Sequence, residues 1–387
     1  MRQTPSETAF LPTLPAVAIR VDSGHKIGSG HVRRCLSLAA FLKRNGFGPV
    51  FICRDIPGAN THIIEQAGFE LVLLPDDERF AFSVFSSTFS AADFENMVQD
   101  AERSADAFAR QYPGVKIAWV VSDHMMIREP WQARFAAKTG CMVLAIDGQA
   151  NTPHHADVLV DPQISENPAE KWAGLLPDTC VFYSGPSCLP LSQAFESARE
   201  RASIRSGPVK RVLVCFGGTD IQDLVYRAVQ TLVARADQTR SSVVEIDIAV
   251  PSDLPSLKRL EELVVGYSRC RTHVGLNDLS SLMLSADLAI GGGGIMLWER
   301  CLLGLPAIVV PLAENQEKPI ERLEAKGAVI SVGSPDEGYE SGVEKALRHI
   351  SQNPEALCTM SSAAFEVMSD WPQTDDWLNV MKGCNNE

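Results

Sequence analysis

Residues 17–46 read VAIRVDSGHKIGSGHVRRCLSLAAFLKRNG. An apolar run of strand length, VAIRV at 17–21, leads into a glycine-rich turn, IGSGHVRR at 27–34, and then into a helical pattern. Strand, glycine turn and helix in that order open a βα unit. Serine or aspartate would cap such a helix better than glycine does, so Gly28 and Gly30 pose a choice. Either they make a tight turn, because glycine reaches backbone angles that other residues avoid, or they clear the helix N-terminus for a ligand on which His31 acts. The turn alone does not choose between these.

The same alternation continues along the chain. PVFICR (49–54), FELVLLP (69–75), KIAWVVSD (116–123), CMVLAID (141–147) and DVLVDP (157–162) are short apolar runs, separated by covering-helix candidates such as ANTHIIEQAG and PWQARFAAKTG. Runs of this length and composition suit strands buried on both faces, so a parallel sheet with helices on both sides is expected. Residues 163–207 are rich in prolines and polar turns and read as a domain connection. A second series follows: KRVLVCFGG (210–218), VVEIDIAV (243–250), CRTHVGL (270–276), ADLAIGGGG (286–294) and PAIVVPL (306–312), with DIQDLVYRAVQTLVARA and IMLWERCLLG as helices. The expected organisation is a lead at 1–16, a first Rossmann-like α/β/α domain at 17–205, a second at 206–360, and a helical segment at 361–387 for which periodicity gives no contact partner. Two such halves would face each other across a cleft at the carboxyl ends of their sheets, where ligands bind.

Composition removes several function classes. A formal net charge of -13 with no basic patch speaks against a nucleic-acid binder. No stretch approaches the roughly 18 uninterrupted apolar residues of a membrane span, and the start does not read as a secretory signal. The ten cysteines are scattered with no CxxC, as expected of reduced thiols in a cytoplasmic protein. Neither a dinucleotide GxGxxG in the usual register nor a P-loop GKS/GKT is present.

Three glycine-rich or polar strand ends in the second half point to a diphosphate ligand. In IGGGGIMLWERC (290–301), Gly293 and Gly294 can turn backbone N–H groups toward phosphate, and Glu299, about one turn into the helix, can accept hydrogen bonds from ribose hydroxyls. FGGTD (216–220) repeats the arrangement with Gly217, Gly218 and Thr219, and Asp220 as a helix cap or a ligand contact. Asn315 and Gln316 in PLAENQEKP either offer amides to sugar hydroxyls or acetamido groups or are hydrated surface residues.

In the first half His31 is the candidate for proton transfer, since imidazole titrates near neutral pH and a helix N-terminus favours its neutral form. Asp22 either orients that imidazole, binds substrate or caps a turn. Arg34 and its neighbour Arg33 either contact a phosphate or carboxylate or are solvated. Asp123 and Asp147 close later strands and either hold or polarise a sugar near His31 or serve capping and other structural roles. With His124, His154 and His155 these acids could form a metal site, but no HxH or HExxH spacing supports one, and no metal or cofactor is expected.

RVDSGHKIGSGHVRRCLSLA, SDHMMIREPW, AIDGQANTPHHADVLVDP, VLVCFGGTD and ADLAIGGGGIMLWERCLLGLPAIVV followed by AENQ together resemble the nucleotide-sugar hydrolases of pseudaminic acid synthesis. Those enzymes remove UDP from UDP-2,4-diacetamido-2,4,6-trideoxy-β-L-altropyranose. They are similar in turn to two-domain glycosyltransferases of the GT-B type, including those that add GlcNAc to the peptidoglycan precursor. The resemblance implies a UDP pocket mainly in the second domain, with Glu299 on the ribose and Asn315 and Gln316 on the sugar side, and a terminal helical segment from 361 that returns toward the first domain. It also implies His31 as the base that activates water for inverting attack at the anomeric carbon, without a metal. The sequence departs from the family at Gly148, where a second acid often follows Asp147, and in GPSCLPLSQAF (185–195), where Cys188 and Ser192 replace an aromatic residue and an arginine. The expected function is therefore a cytoplasmic UDP-sugar hydrolase. The alternatives are a GT-B glycosyltransferase with an unknown acceptor and a non-catalytic UDP-sugar-binding protein.

Overall fold

The computed structural model describes residues 14–24, 27–77, 89–217, 221–239, 244–252, 254–336 and 338–383. Contacts divide the chain into two units, residues 1–192 with 372–387 and residues 193–371. Each is built around a parallel sheet.

In unit 1 the strands are β1 (Ala16–Arg20), β2 (Gly48–Arg54), β3 (Glu70–Leu74), β4 (Ile117–Ser122), β5 (Met142–Ile146), β6 (Val158–Asp161) and β7 (Val181–Ser184). Their spatial order is β3-β2-β1-β4-β5-β6-β7. The chain therefore builds outward from β1 in one direction, returns, and builds outward from β4 in the other. The crevice at the carboxyl ends of β1 and β4 is the place where this topology leaves room for a ligand. The apolar runs lack alternation because both faces are covered. Val17 and Ile19 join one core with Val32, Cys35, Leu38, Ala39 and Leu42 of α1 (Gly30–Arg44). Ala16 and Ala18 join the other with Met97, Ala101 and Phe108 of α3 (Ala91–Gln111) and Trp131 and Phe135 of α4 (Glu129–Thr139).

Between β2 and β3 lies α2 (His62–Gln66), and α5 (Pro168–Lys171) follows β6. Helix α3 starts at a capping box: Ser90 Oγ accepts from the Asp93 N–H, and the Asp93 carboxylate accepts from the Ser90 N–H. Helix α14 (Asp375–Gly383) belongs to unit 1, where Trp377, Leu378 and Met381 are buried in the α1-side core. The Trp377 indole N–H donates to the Cys188 carbonyl at 2.9 Å, and the Trp119 indole donates to the Met381 carbonyl at 3.3 Å.

Unit 2 contains β8 (Arg211–Cys215), β9 (Glu245–Val250), β10 (Cys270–Val274), β11 (Leu288–Gly292), β12 (Ala307–Val310) and β13 (Val329–Ser331), in the order β10-β9-β8-β11-β12-β13. The helices are α6 (Gln193–Arg199), α7 (Leu224–Thr239), α8 (Leu257–Val264), α9 (Ser280–Ser285), α10 (Met296–Leu302), α11 (Glu317–Ala325), α12 (Tyr339–Gln352) and α13 (Ala356–Val367). Val212 and Val214 enter a core with Leu224, Ala228 and Val229 of α7 and Val343, Ala346 and Leu347 of α12. On the opposite face the Cys215 thiol meets the Met296 sulfur of α10 at 3.6 Å.

The contacts place the division between units at 192/193, upstream of the 205/206 expected from the sequence. The cause is Arg205, buried in unit 2, whose guanidinium donates to the carbonyls of Met283, Leu284, Ala286 and Leu303 at the ends of α9 and α10. The return to unit 1 begins at 372, not at 361, because α13 packs on α10 and α12. Strand β7 falls inside the stretch expected to be a connection. It is a half-exposed edge strand, so its apolar signal is weak.

Candidate functional site

Asp22, Asp123 and Asp147 stand just past the carboxyl ends of β1, β4 and β5, three neighbouring strands. Gly24 and Gly28 pair in a β-bridge, and His31, in the first turn of α1, stands on the same edge beside Asp123. Gly28 holds a φ of +77° and its N–H donates to the Gly24 carbonyl at 2.8 Å, so this glycine serves the turn. Gly30 is different. Its backbone is ordinary, it is exposed, and a Cβ there would meet nothing within 4 Å. Neither sterics nor backbone angle requires glycine at position 30, which leaves open space beside His31.

His31 Nδ1 lies 2.7 Å from Asp123 Oδ1. Arg34, one turn further along α1, donates from Nε to Asp123 Oδ2 at 2.7 Å and from Nη2 to Asp123 Oδ1 at 2.6 Å. The Cys35 thiol approaches Oδ2 at 3.4 Å. Burial would raise the pKa of Asp123, but the Arg34 guanidinium and His31 outweigh it and hold the carboxyl well below its ordinary range. An ionised carboxylate only accepts hydrogen bonds. The imidazole must therefore donate from Nδ1, which leaves the Nε2 lone pair as its basic site. Arg34 lies 3.1 Å from Nδ1, but its hydrogens are directed to the carboxylate. The His31 side chain is 21% exposed and that of Asp123 fully buried, so the base faces outward from a dry support.

The role of orienting the imidazole, open to Asp22 in the sequence, falls to Asp123. Asp22 sits instead in a buried charge network. Its Oδ1 accepts from Arg20 and from the Arg54 N–H at 2.7 Å, and its Oδ2 lies 3.2 Å from His124 Nε2. Asp100 of α3 accepts from Arg20, Arg54 and the Trp131 indole. Two arginines thus balance two carboxylates, the condition under which charges tolerate burial.

Asp147 belongs to a third group. Its Oδ2 lies 3.1 Å from His154 Nε2 and 3.7 Å from Arg128 Nη2, and its Oδ1 accepts from the Gln149 N–H. His154 Nδ1 accepts from the Gln132 amide at 3.0 Å. With both ring nitrogens committed, His154 has no lone pair for catalysis. Among the described residues no three of His, Cys, Asp and Glu converge as a metal site would require. Arg33 is exposed, while Arg34 is half-buried and paired with Asp123.

Gly148 permits a close crossing: a Cβ at this position would lie 2.7 Å from the Gln163 side chain. Lys171 fixes the loop by donating to the Gly148 carbonyl at 2.7 Å and to Asp161 at 2.6 Å. Gln163 therefore fills the volume that a side chain at 148 would take. Cys188, which stands where the family has an aromatic residue, is buried in the α1-side core, with its thiol donating to the Ser184 carbonyl at 3.3 Å. Ser192 is the last residue of that unit's first segment and is half-buried.

In unit 2 the glycines divide by purpose. A Cβ at Gly291 would lie 2.0 Å from the Cys215 carbonyl oxygen, at Gly292 2.6 Å from Leu312, and at Gly293 2.5 Å from Ile320. These three allow close packing of strand and loop. The Gly293 N–H donates to Gln316 Oε1 at 3.1 Å, and the Leu312 N–H donates to the same oxygen at 3.0 Å. Gln316 is thus a brace between two strand ends, with its Nε2 near the open position at Gly294. Asn315 is exposed and Glu299 half-buried. Gly217 takes a φ of +94° against Met296. Gly218, Thr219 and Asp220 lie outside the described residues. Sequence reasoning missed Arg300, which is buried and donates to the carbonyls of Gly292 and Met296, locking the glycine run to α10.

Residues 212–371 match the family model of the glycosyltransferase family 28 C-terminal domain. The chain is 29% identical over 157 residues to the spore coat polysaccharide biosynthesis protein SpsG of Bacillus subtilis, covering 39% of this chain and 44% of that protein. The chain thus spans less than half the length of SpsG. It is 23% identical over 312 residues to the UDP-2,4-diacetamido-2,4,6-trideoxy-beta-L-altropyranose hydrolase of Campylobacter jejuni, covering 80% of this chain and 97% of that one. Among solved structures, Acinetobacter baumannii MurG is similar with a TM-score of 0.60 and 15% identity, over 97% of this chain and 100% of that one. Glycosyltransferases, CalG4 and VinC among them, share the fold at TM-scores from 0.52 to 0.61. The two α/β units, each with the Rossmann-like order about its first strand, have the architecture of the GT-B fold.

Proposed function

We propose that this chain is an enzyme that breaks the bond between the anomeric carbon of a UDP-sugar and its diphosphate, with His31 as general base. The observation that carries this reading is the 2.7 Å contact of His31 Nδ1 with a carboxylate already paired to Arg34, which leaves Nε2 as an outward-facing acceptor beside the open position at Gly30. A nucleophilic hydroxyl bound at Nε2 gives up its proton as its oxygen attacks, and the C–O bond to the diphosphate breaks as the charge moves onto the leaving group. The nucleotide is assigned to unit 2, with Gly217, Gly218, Thr219 and Gly294 at the phosphates, Glu299 at the ribose, and Asn315 on the sugar side. Gln316 contributes by bracing the loop. The reading uses no metal, since Asp22, Asp123 and Asp147 each already face an arginine.

Transfer to an acceptor hydroxyl is the form of this chemistry supported by the family model over residues 212–371 and by the majority of the similar solved structures. Hydrolysis, in which water is the acceptor, is the second reading. The match covering 97% of the Campylobacter hydrolase favours it, and would make a diacetamido-trideoxy sugar the substrate. Both readings place the enzyme with the cytoplasmic supply of UDP-sugars. No described helix is long and apolar enough to cross a membrane.

Incubation with UDP-sugars in the absence of any acceptor separates the two. Transfer predicts UDP release only when an acceptor is added. Rapid release of UDP and free sugar in buffer alone would establish hydrolysis instead.

A further inference from the structure

We propose that His124 is a positioning residue that sets the three strand-end carboxylates in register, and through Asp123 fixes the tautomer of His31. This rests on the functional reading above, in which His31 is the base. His124 is buried and follows Asp123 directly, and its ring meets Asp22 where the Asp123 carboxylate meets His31. Its Nδ1 accepts from the Met126 N–H at 3.1 Å. The ring proton therefore resides on Nε2, which lies 3.2 Å from Asp22 Oδ2. Burial pushes the His124 pKa down and favours the neutral ring, with Nδ1 hydrogen-bonded to the Met126 N–H and Nε2 facing the Asp22 carboxylate.

The carbonyl of the same residue accepts from the Ile127 N–H at 3.2 Å and from Arg128 Nη1 at 3.2 Å. Arg128 reaches on to Asp147 at 3.7 Å. One residue thus joins the end of β1, through Asp22, to the end of β4, where it adjoins Asp123, and to the acid after β5, through Arg128. Asp22 is itself fixed by Arg20 and the Arg54 N–H, so it forms a stationary anchor. The Asp123 N–H donates to the Arg20 carbonyl at 3.2 Å, tying the first residue of the turn to that same strand. Any displacement of the turn at 123–127 moves the carboxylate on which the His31 Nδ1–H depends.

The test compares His124→Gln, whose amide keeps an acceptor and a donor, with His124→Leu, which fills similar volume and has neither. The readouts are the ring ¹⁵N shifts of His31, the separate kcat and KM for a UDP-sugar, and the thermal midpoint. The expected result is that H124L converts His31 from one Nδ1–H tautomer to a mixture. It should also lose about tenfold or more in kcat with KM within about twofold. H124Q is expected to restore the single tautomer and most of kcat. Should H124L not fold, His124→Asn, polar but too short to span both partners, replaces it with the same expectation. The inference is overturned if the apolar or short variant keeps the single tautomer and native kcat, or if H124Q is as impaired as H124L. If the native enzyme acts on no UDP-sugar, the functional reading fails by that result, while the His31 tautomer still decides whether His124 governs it.

Discussion

At the scale of single residues, the two glycines of the first turn separate fold from function. Gly28→Ala is expected to cost about 1 kcal/mol, since its φ of +77° disfavours a Cβ. Gly30→Ala should leave stability unchanged or slightly raised, because alanine is the better helix former and no atom lies within 4 Å of its methyl group. The same methyl group would stand in the space assigned to substrate. Denaturant unfolding together with turnover checks this: Gly30→Ala should unfold like the native protein and lose at least tenfold in activity. Native activity in that variant would assign the space to solvent.

Asp123→Asn retains the shape but removes the charge that selects the His31 tautomer, and is expected to lower kcat by about 10²–10⁴-fold. Asp147→Asn should have a smaller effect, since its partners Arg128 and His154 are held by other groups as well. The sequence offered His31 and the acidic strand ends as candidates for chemistry. It did not show which acid faces which base, because residues 22, 123 and 147 are brought together only by the strand order. The exchange at 148 was visible as a departure, but its partner Gln163 was not. That pairing forms across two loops.

At the scale of elements, segments that read weakly in sequence are held by a few polar anchors. Arg205 fastens residues 193–205 to unit 2 by hydrogen bonds to helix-end carbonyls, and burial lowers its pKa to about 10. Arg205→Ala is expected to cost about 2–4 kcal/mol, as buried carbonyl partners are lost together, with no change in nucleotide affinity. Chemical denaturation and calorimetry measure the two separately. Trp377→Ala should cost about 3–5 kcal/mol by opening the core beneath α1.

The strands that cross both cores were legible as apolar runs. Strand β7, half exposed, and β13, only three residues long, were not, because neither has enough buried length to make a pattern. The capping box of α3 carried a signal in Ser90 and Asp93 that composition alone does not bring out. Helix α14 has a helical pattern, but no local feature announces that it returns to the Cys188 carbonyl and Phe41.

At the scale of the molecule, charge pairing in unit 1 sets the response to acid. Asp22, Asp100, Asp123 and Asp147 all have folded pKa values below their ordinary range. In each, facing cations outweigh the opposing effect of burial. Lowered carboxyl pKa values mean that the unfolded chain binds more protons. The stability they confer is complete above about pH 4 and declines as pH falls toward the folded values. Unfolding midpoints measured from pH 7 to pH 2 should be nearly level down to about pH 4 and then drop steeply, in a transition reported by Trp119 and Trp131 of unit 1. A midpoint that stays level to pH 2 would contradict this account of the network.

The account as a whole turns on one imidazole acting on one class of substrate. Its most direct test follows UDP release from a panel of UDP-sugars, with and without sugar or lipid-linked acceptors, by the native protein and by His31→Gln. The prediction is release from at least one UDP-sugar by the native protein, a loss of at least about 100-fold in the variant, and unchanged UDP affinity in both. Equal turnover by the variant, or no release from any UDP-sugar under either condition, would contradict it.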